Sequence, residues 1–391
     1  MDSRRIGITW QLSDSHGWGV FGLNFAYNLI VNGPAAPMIF ADQNLTAVPN
    51  ETITALTPFF NERVELLARI EANGGHALFD EAVLIHALSD DFRHSEISDK
   101  ARGHHNVGFV FFENGEINAD SVERAKQWDR VLVGSSWNLE RCQASGIDGA
   151  VFVSQGIDPD HFKPVPRTDA PKERFVIYSG GKLEVRKGQD QVLAAFKRFV
   201  QIHPDSLLIT SWQNHWPQTI QSLVESPHVN SLPGLDEKGN LRIVDWALAH
   251  GIPPNTVVDT GWVPNTWLPK LLSQADVALF PNRGEGGTNL AAMEAMACGV
   301  PCIVSANTGH LDLIGEDNCY VLEDQSPGNF SADPGRHWRD SSIDEIVDKL
   351  EMAYADAADR TRRGDNGAAF MKNISWETQV AKIADSISDF L

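Results

Sequence analysis

Residues 283–309 read RGEGGTNLAAMEAMACGVPCIVSANTG, and within them Glu285, Gly286, Gly287, Thr288 and Asn289 stand between an apolar run, 277–280, and helix formers from Leu290 to Ala297. The two glycines let the backbone come close to a ligand. The first N–H groups of the helix have no partner within it, and the helix dipole favours a negative charge in front of them. This is the chemistry of a phosphorylated ligand. Glu294 follows further along the same helix, near enough to accept hydrogen bonds from sugar hydroxyls, and Gly299 and Pro301 end the helix before the apolar Cys302, Ile303 and Val304.

A second cluster lies in SGGKLEVRKGQD, residues 179–190, where Lys182, Arg186 and Lys187 accompany Gly181 after an apolar run. Cations on a loop at the carboxyl end of a strand can neutralise a diphosphate as it departs. A third is HGWGVFG, residues 16–22, which satisfies G-x-G-x-x-G after a strand pattern and carries Asp42 about twenty residues on. Taken alone, this fingerprint supports an NAD-dependent oxidoreductase. In VGFVFFENGE, residues 107–116, Glu113 ends a buried strand pattern, where a carboxylate is costly unless it meets a hydroxyl or a cation. His86 closes another strand pattern and is a weaker candidate, while Trp212, Trp216, Trp262 and Trp267 are either core or pocket lining.

The elements that must position these residues alternate. Strand patterns at 6–10, 37–41, 82–87, 107–112, 130–133 and 150–153 are separated by helical stretches at 21–31, 62–73, 121–127 and 137–144. After a proline-bearing linker at 163–172, which includes Pro171, the alternation restarts with strands at 174–178, 206–211, 257–260, 277–280 and 302–305 and a helix at 189–202. Helices at 343–357 and 376–390 close the chain. Such alternation implies mostly parallel sheets covered on both faces, with ligands at the carboxyl ends of the strands.

At 391 residues two domains are the natural expectation, and 42% apolar with 21% charged residues is ordinary for a globular protein. A formal charge of −20 argues against a nucleic-acid surface and against docking on anionic lipid through a basic patch. No run approaches the ~18–20 apolar residues of a membrane helix, and the opening MDSRRIGITW lacks an apolar signal core, so a cytoplasmic protein without an integral membrane segment is expected. The four cysteines are too few and scattered for a disulfide framework. Cys298 and Cys302, flanking Gly-Val-Pro without a histidine pair, suit packing better than metal, and no metal site is expected.

The run 283–309 resembles the signature of retaining GT-B glycosyltransferases of family four, the glycosyl transferases group 1, in which a glutamate, a glycine-rich turn and a segment like LEAMACGVP hold a nucleotide sugar. The family usually separates its two glutamates by seven residues, and eight stand between Glu285 and Glu294 here. In segment 179–190, Lys182 takes the family's arginine position and Lys187 its lysine position, which keeps the charge and loses the bidentate fork. Glu113 occupies the place where many members carry a histidine, and 154–164 resembles the turn that closes the first domain. Segment 260–282 resembles the one whose backbone beside Trp262 and Val263 meets the nucleotide base.

The resemblance implies an α/β GT-B fold of two Rossmann-like domains facing an interdomain cleft, at 1–165 and 173–375, with a C-terminal helix at 376–391 packing back on the first. It implies transfer of a sugar from a nucleotide diphosphate sugar to an acceptor hydroxyl with retention of configuration. Lys182, Lys187 and the turn from Gly286 to Leu290 would hold the diphosphate, Glu294 the ribose, and Glu285 and Glu113 the transferred sugar. Gly19, Gly181, Trp262 and Val263 would border the donor, and His16 and Gly17 the acceptor. No cofactor beyond the donor substrate is implied, and the acceptor would be a glycan, a lipid-linked sugar or a protein. The competing readings are a nucleotide-sugar epimerase of the same fold, the NAD-dependent oxidoreductase and a non-catalytic GT-B binding module.

Overall fold

The computed structural model of the chain describes residues 5–168, 173–214, 216–328 and 337–391. Residues 169–172 of the expected linker, Pro171 among them, lie outside the described residues. The chain forms two compact units, one of Met1–Asp158, Pro264–Thr266 and Ile374–Leu391, the other of Pro159–Val263 and Trp267–Asn373.

The strands of the first unit are β1 (Arg5–Ile8), β2 (Leu12–Ser13), β3 (Ala36–Ile39), β4 (Gln43–Asn44), β5 (Ala77–Leu88), β6 (Ala101–Val110), β7 (Arg130–Val133) and β8 (Ala150–Phe152). Six of them make a parallel sheet in the order β3-β1-β5-β6-β7-β8, and β2 pairs with β4. Helices α1 (Gly17–Asn32), α2 (Asn50–Ala72), α3 (Glu96–Lys100), α4 (Ala119–Ala125) and α5 (Ser136–Ala144) join them. Ile6, Ile8, Leu84, Ile85, Val107, Phe109 and Val110 are buried, the near-continuous apolar pattern that strands covered on both faces require.

The start of α1 departs from expectation and changes the meaning of its glycines. The helix opens at Gly17 rather than Phe21 because His16 caps it, its Nδ1 accepting the Gly19 N–H at 3.1 Å. A Cβ on Gly19 would lie 2.4 Å from the Ser13 Cβ, and one on Gly22 would lie 2.6 Å from the Trp10 indole nitrogen. Gly19 and Gly22 of the G-x-G-x-x-G pattern are thus accounted for by close packing inside the first turns of a helix. Asp42, its expected ribose partner, instead pairs with Arg63 at 2.7 Å.

The second unit carries β9 (Phe175–Gly180), β10 (Ser206–Ser211), β11 (Val257–Asp259), β12 (Val277–Phe280), β13 (Cys302–Ser305) and β14 (Tyr320–Leu322), a parallel sheet in the order β11-β10-β9-β12-β13-β14. A short antiparallel pair, β15 (Gln325–Pro327) and β16 (Arg339–Ser341), stands beside it in sequence. Its helices are α6 (Gln189–Ile202), α7 (Ile243–Ala249), α8 (Leu268–Leu272), α9 (Leu290–Ala297), α10 (Ile343–Ala355) and α11 (Ala357–Met371). One apolar cluster, with Ile177, Phe196, Phe199, Trp212, Leu279 and Ile303 among its members, forms the core. The chain leaves β9 toward β10 on one side and later places β12 on the other, so the carboxyl ends of β9 and β12 flank a topological switch point, where open α/β sheets bind ligands.

The last helix, α12 (Trp376–Ser386), belongs to the first unit. Trp376 is buried with its ring 5.9 Å from that of Phe21 on α1, and its N–H donates to the Ile157 carbonyl at 3.0 Å. Beyond the helix, Arg130 pairs with Asp389 at 2.9 Å and covers the ring of Phe390. Both units are therefore Rossmann-like, and the C-terminal helix packs on the first.

Candidate functional site

At the switch point of the second unit, the loop after β9 and the loop after β12 meet. Gly181 has φ +113° and Gly188 φ +71°, values that suit glycine, and a Cβ on Gly188 would stand 2.2 Å from the Pro281 carbonyl oxygen. Between them Val185–Lys187 forms a 3-10 turn that presents Arg186 and Lys187 toward the residues following β12. Lys187 Nζ lies 2.6 Å from Glu285 Oε1, and Arg186 lies 3.0 Å from Glu285 Oε2. Arg186 also pairs with Glu184 at 2.5 Å and donates to the Gly284 carbonyl at 2.9 Å. Lys182 pairs with Glu184 at 3.1 Å and stands 5.8 Å from the Trp216 ring centroid.

Three cations and two carboxylates make this cluster net positive. Burial works against the Glu285 carboxylate, but Lys187 and Arg186 outweigh it and hold its pKa well below the usual carboxylate range. Burial lowers the Lys187 pKa, opposed by Glu285. Glu285 is thus committed to cations of its own chain in the ligand-free state rather than poised alone.

A buried ion pair supports both loops from below. Arg283, fully buried, grips both oxygens of the equally buried Asp190 on α6 at 2.6 and 2.7 Å and reaches Asp340 at 2.6 Å. It also donates to the Val185 carbonyl, and its backbone N–H bonds the Arg186 carbonyl at 2.7 Å. The cation loop and the glycine-rich turn are therefore one fastened piece.

The turn itself leads into α9 through Asn289, whose φ of 64° is left-handed and whose side chain does not cap the helix. Among the described residues, the N–H groups of Gly287, Thr288, Asn289, Leu290 and Ala291 make no hydrogen bond to the chain, an arrangement suited to an anion. The Thr288 hydroxyl meets Met293 Sδ at 3.0 Å. Glu294, one turn into α9, lies near enough to Tyr178 on β9 to influence that phenol, and its carboxyl has no hydrogen-bond or ion-pair partner among the described residues. Partial burial withdraws its carboxyl from solvent and pushes it up to about 8.

That unpartnered acid gives an expected pH signature. A carboxyl whose pKa is higher folded than unfolded adds stability below about 4.5 and loses it as pH rises through about 8. Glu294→Gln should therefore raise the stability of the ligand-free chain by about 1–2 kcal/mol at pH 8 and by little at pH 5. Denaturant melts at the two pH values check this, and an equal gain at both would show that the carboxyl is not desolvated.

The other expected residues are distributed as follows. Glu113 follows β6 in the first unit, and its N–H bonds Asp90 at 3.3 Å. His16 and Gly17 open α1, with the His16 Nε2 3.3 Å from Gln11 Oε1. Gly19 was expected to border the donor; it is buried, its N–H is taken by His16, and its bare α-carbon makes room for Ser13. Trp262 and Trp267 are 48% and 60% exposed and thus not core, and Val263 follows on the same loop after β11. Trp212 is fully buried and bonds Ser179 at 3.2 Å, so it is core rather than pocket lining. His86 lies wholly buried against Trp128, bonded to Asn106 at 3.0 Å, and burial pushes its pKa down to about 3. It is a core histidine.

Sequence reasoning noted Arg186 without assigning it a part, and it missed Asn282, which donates to Glu285, and His310, which holds Asn289. The only sequence signal for these was position next to the carboxyl ends of β12 and β13. Among the described residues no group of three or more His, Cys, Asp or Glu side chains is placed to hold a metal ion, and no helix is long and apolar enough to cross a membrane.

Two Rossmann-like units, one with a cationic loop and an uncapped helix at its switch point, define the GT-B class. Residues 163–370 match the family described as Glycosyl transferases group 1, and the chain belongs to that family. It is similar to the GDP-mannose-dependent alpha-(1-6)-phosphatidylinositol monomannoside mannosyltransferase of Mycolicibacterium smegmatis, 25% identical over 213 residues, which are 47% of this chain and 50% of that one. It is also similar to the corresponding dimannoside mannosyltransferase of Mycobacterium tuberculosis, 24% identical over 205 residues, 51% of this chain and 46% of that one. The chain spans about half the length of these curated relatives. Among solved structures, sucrose-phosphate synthase from Thermosynechococcus elongatus superposes with a TM-score of 0.66 at 15% identity, covering 99% of each chain. Anabaena HepE in complex with UDP and glucose superposes with 0.63 at 13% identity, covering 99% of this chain and 100% of that one. At these identities the likeness establishes the fold.

Proposed function

We propose that the chain is a glycosyltransferase that moves a sugar from a nucleotide diphosphate sugar to an acceptor hydroxyl, with retention of anomeric configuration. The observation that carries this reading is the meeting of Arg186 and Lys187 with the uncapped α9 N-terminus and the unpartnered Glu294 at one switch point. Lys182, Lys187 and the N–H groups of Gly287 to Leu290 hold the diphosphate, and positive charge there stabilises it as leaving group. Glu294 accepts from the ribose hydroxyls, which take the place of water at its half-buried carboxyl. Trp262 and Val263, on the loop after β11, face the base. Glu285, fixed by its cations, and Glu113 orient the transferred sugar. His16 and Gly17 contribute to the acceptor side. The similarity to mannosyltransferases that use GDP-mannose supports a hexosyl donor and a glycan or lipid-linked acceptor.

The expected result is release of nucleoside diphosphate that depends on acceptor and persists with excess chelator, since the lysines and the helix dipole supply the positive charge. Coupled assay of GDP or UDP release, with NMR of the product anomer, checks both points. Release without acceptor, loss on chelation or inversion would each remove the corresponding part. In the same assay Glu294→Gln is expected to weaken donor binding by roughly 1.5–3 kcal/mol, the reverse of its effect on stability.

A further inference from the structure

The loop after β13 grips the turn that opens α9. The Glu285 N–H donates to Thr308 Oγ1 at 2.7 Å, the Gly309 N–H donates to the Glu285 carbonyl at 3.0 Å, and Asn307 Nδ2 donates to the Asn282 carbonyl at 2.9 Å. A Cβ on Gly309 would lie 1.8 Å from the Gly287 carbonyl oxygen, so the two loops touch backbone to backbone. The deepest contact is His310, which is wholly buried. Ser305 Oγ donates to the Asn282 carbonyl at 2.6 Å, so it accepts from His310 Nδ1 at 3.0 Å. His310 Nε2 is left to accept from Asn289 Nδ2 at 3.0 Å. Burial pushes the ring down to about 4, which keeps this proton arrangement fixed near neutral pH. Asn289 meanwhile occupies a left-handed conformation that costs an asparagine less than most residues but more than glycine, and its amide is turned from its own helix toward the histidine.

We propose that His310 is a positioning residue for the diphosphate turn, holding Asn289 in the left-handed conformation that leaves the N–H groups from Gly287 to Ala291 uncapped. It touches no ligand itself and acts through Asn289. The inference rests on the nucleotide diphosphate reading above.

Titration calorimetry of the full chain with GDP and with UDP tests it. His310→Gln places an acceptor near the Nε2 position and is expected to bind within about 3-fold of the unchanged chain, whereas His310→Asn reaches Ser305 but falls short of Asn289 and should lose about 10-fold. In an Asn289→Gly background, where glycine takes the left-handed conformation freely, His310→Asn should cost less than about 2-fold. Equal affinities for the Gln and Asn variants, or an undiminished penalty in the glycine background, would overturn the proposal. If His310→Asn does not fold by circular dichroism, Asn289→Ala removes the same bond from its other end and is expected to show the same 10-fold loss, with unchanged affinity overturning it. Failure of both nucleotides to bind the unchanged chain would instead remove the nucleotide reading, and this inference with it.

Discussion

Replacing Lys187 with alanine is expected to cut turnover by roughly 100-fold while the chain stays folded. Lys187 is a half-buried cation at the end of a 3-10 turn fixed by Gly188, 2.6 Å from Glu285. Preorganised charge of this kind acts on a leaving diphosphate without reorganisation at the moment of reaction. The fold tolerates the loss because Glu285 keeps Arg186 at 3.0 Å and the amide of Asn282. Steady-state rates at saturating donor, together with a thermal melt, are the measurement. Turnover equal to that of the unchanged chain would sink the assignment.

Arg283→Met is expected to have the larger effect on stability, about 3–5 kcal/mol, because it leaves Asp190 charged and buried with the Ser226 hydroxyl as its remaining side-chain hydrogen-bond partner among the described residues. Asp190 is held below the usual carboxylate range: burial works against its charge, and Arg283 outweighs burial. For a domain of this size that loss lowers the melting temperature by on the order of 10 °C. Adding Asp190→Leu should recover much of it, since two apolar side chains can replace a buried pair once neither charge is stranded. Urea denaturation of the single and double variants decides the matter, and a single variant melting like the unchanged chain would show that the pair is solvated.

The elements that were legible share a simple cause. Strands β10, β12 and β13 and helix α6 begin and end where expected because compact apolar or amphipathic runs are bounded there by glycine, proline or polar residues. Helix α1 starts earlier than its apolar pattern because a histidine cap and packed glycines replace the usual signals. Helix α2 starts at Asn50 rather than 62 because threonines and Pro58 mask its first turns. Strands β5 and β6 reach further toward their N-termini than expected, where charged and polar residues such as Asp80, Glu81 and His104 interrupt the apolar run.

In the site, Lys187, Glu285 and Glu294 could be found because their neighbours in sequence carry the pattern. Arg283 with Asp190 and Asn289 with His310 could not, being partners 93 and 21 residues apart that only the sheet order brings together. Nor can sequence tell Trp212, at the core, from Trp262, in the open, since both follow a strand.

The return of α12 to the first unit has a consequence for the order of events during synthesis. Trp376 fills a place beside Phe21 that stays empty until the ribosome has added the whole second unit. At about 5–20 residues per second that delay is on the order of tens of seconds. The half that emerges first is thus completed last, and until then Phe21, stacked with Trp10 and Phe25, lacks the ring of Trp376 beside it.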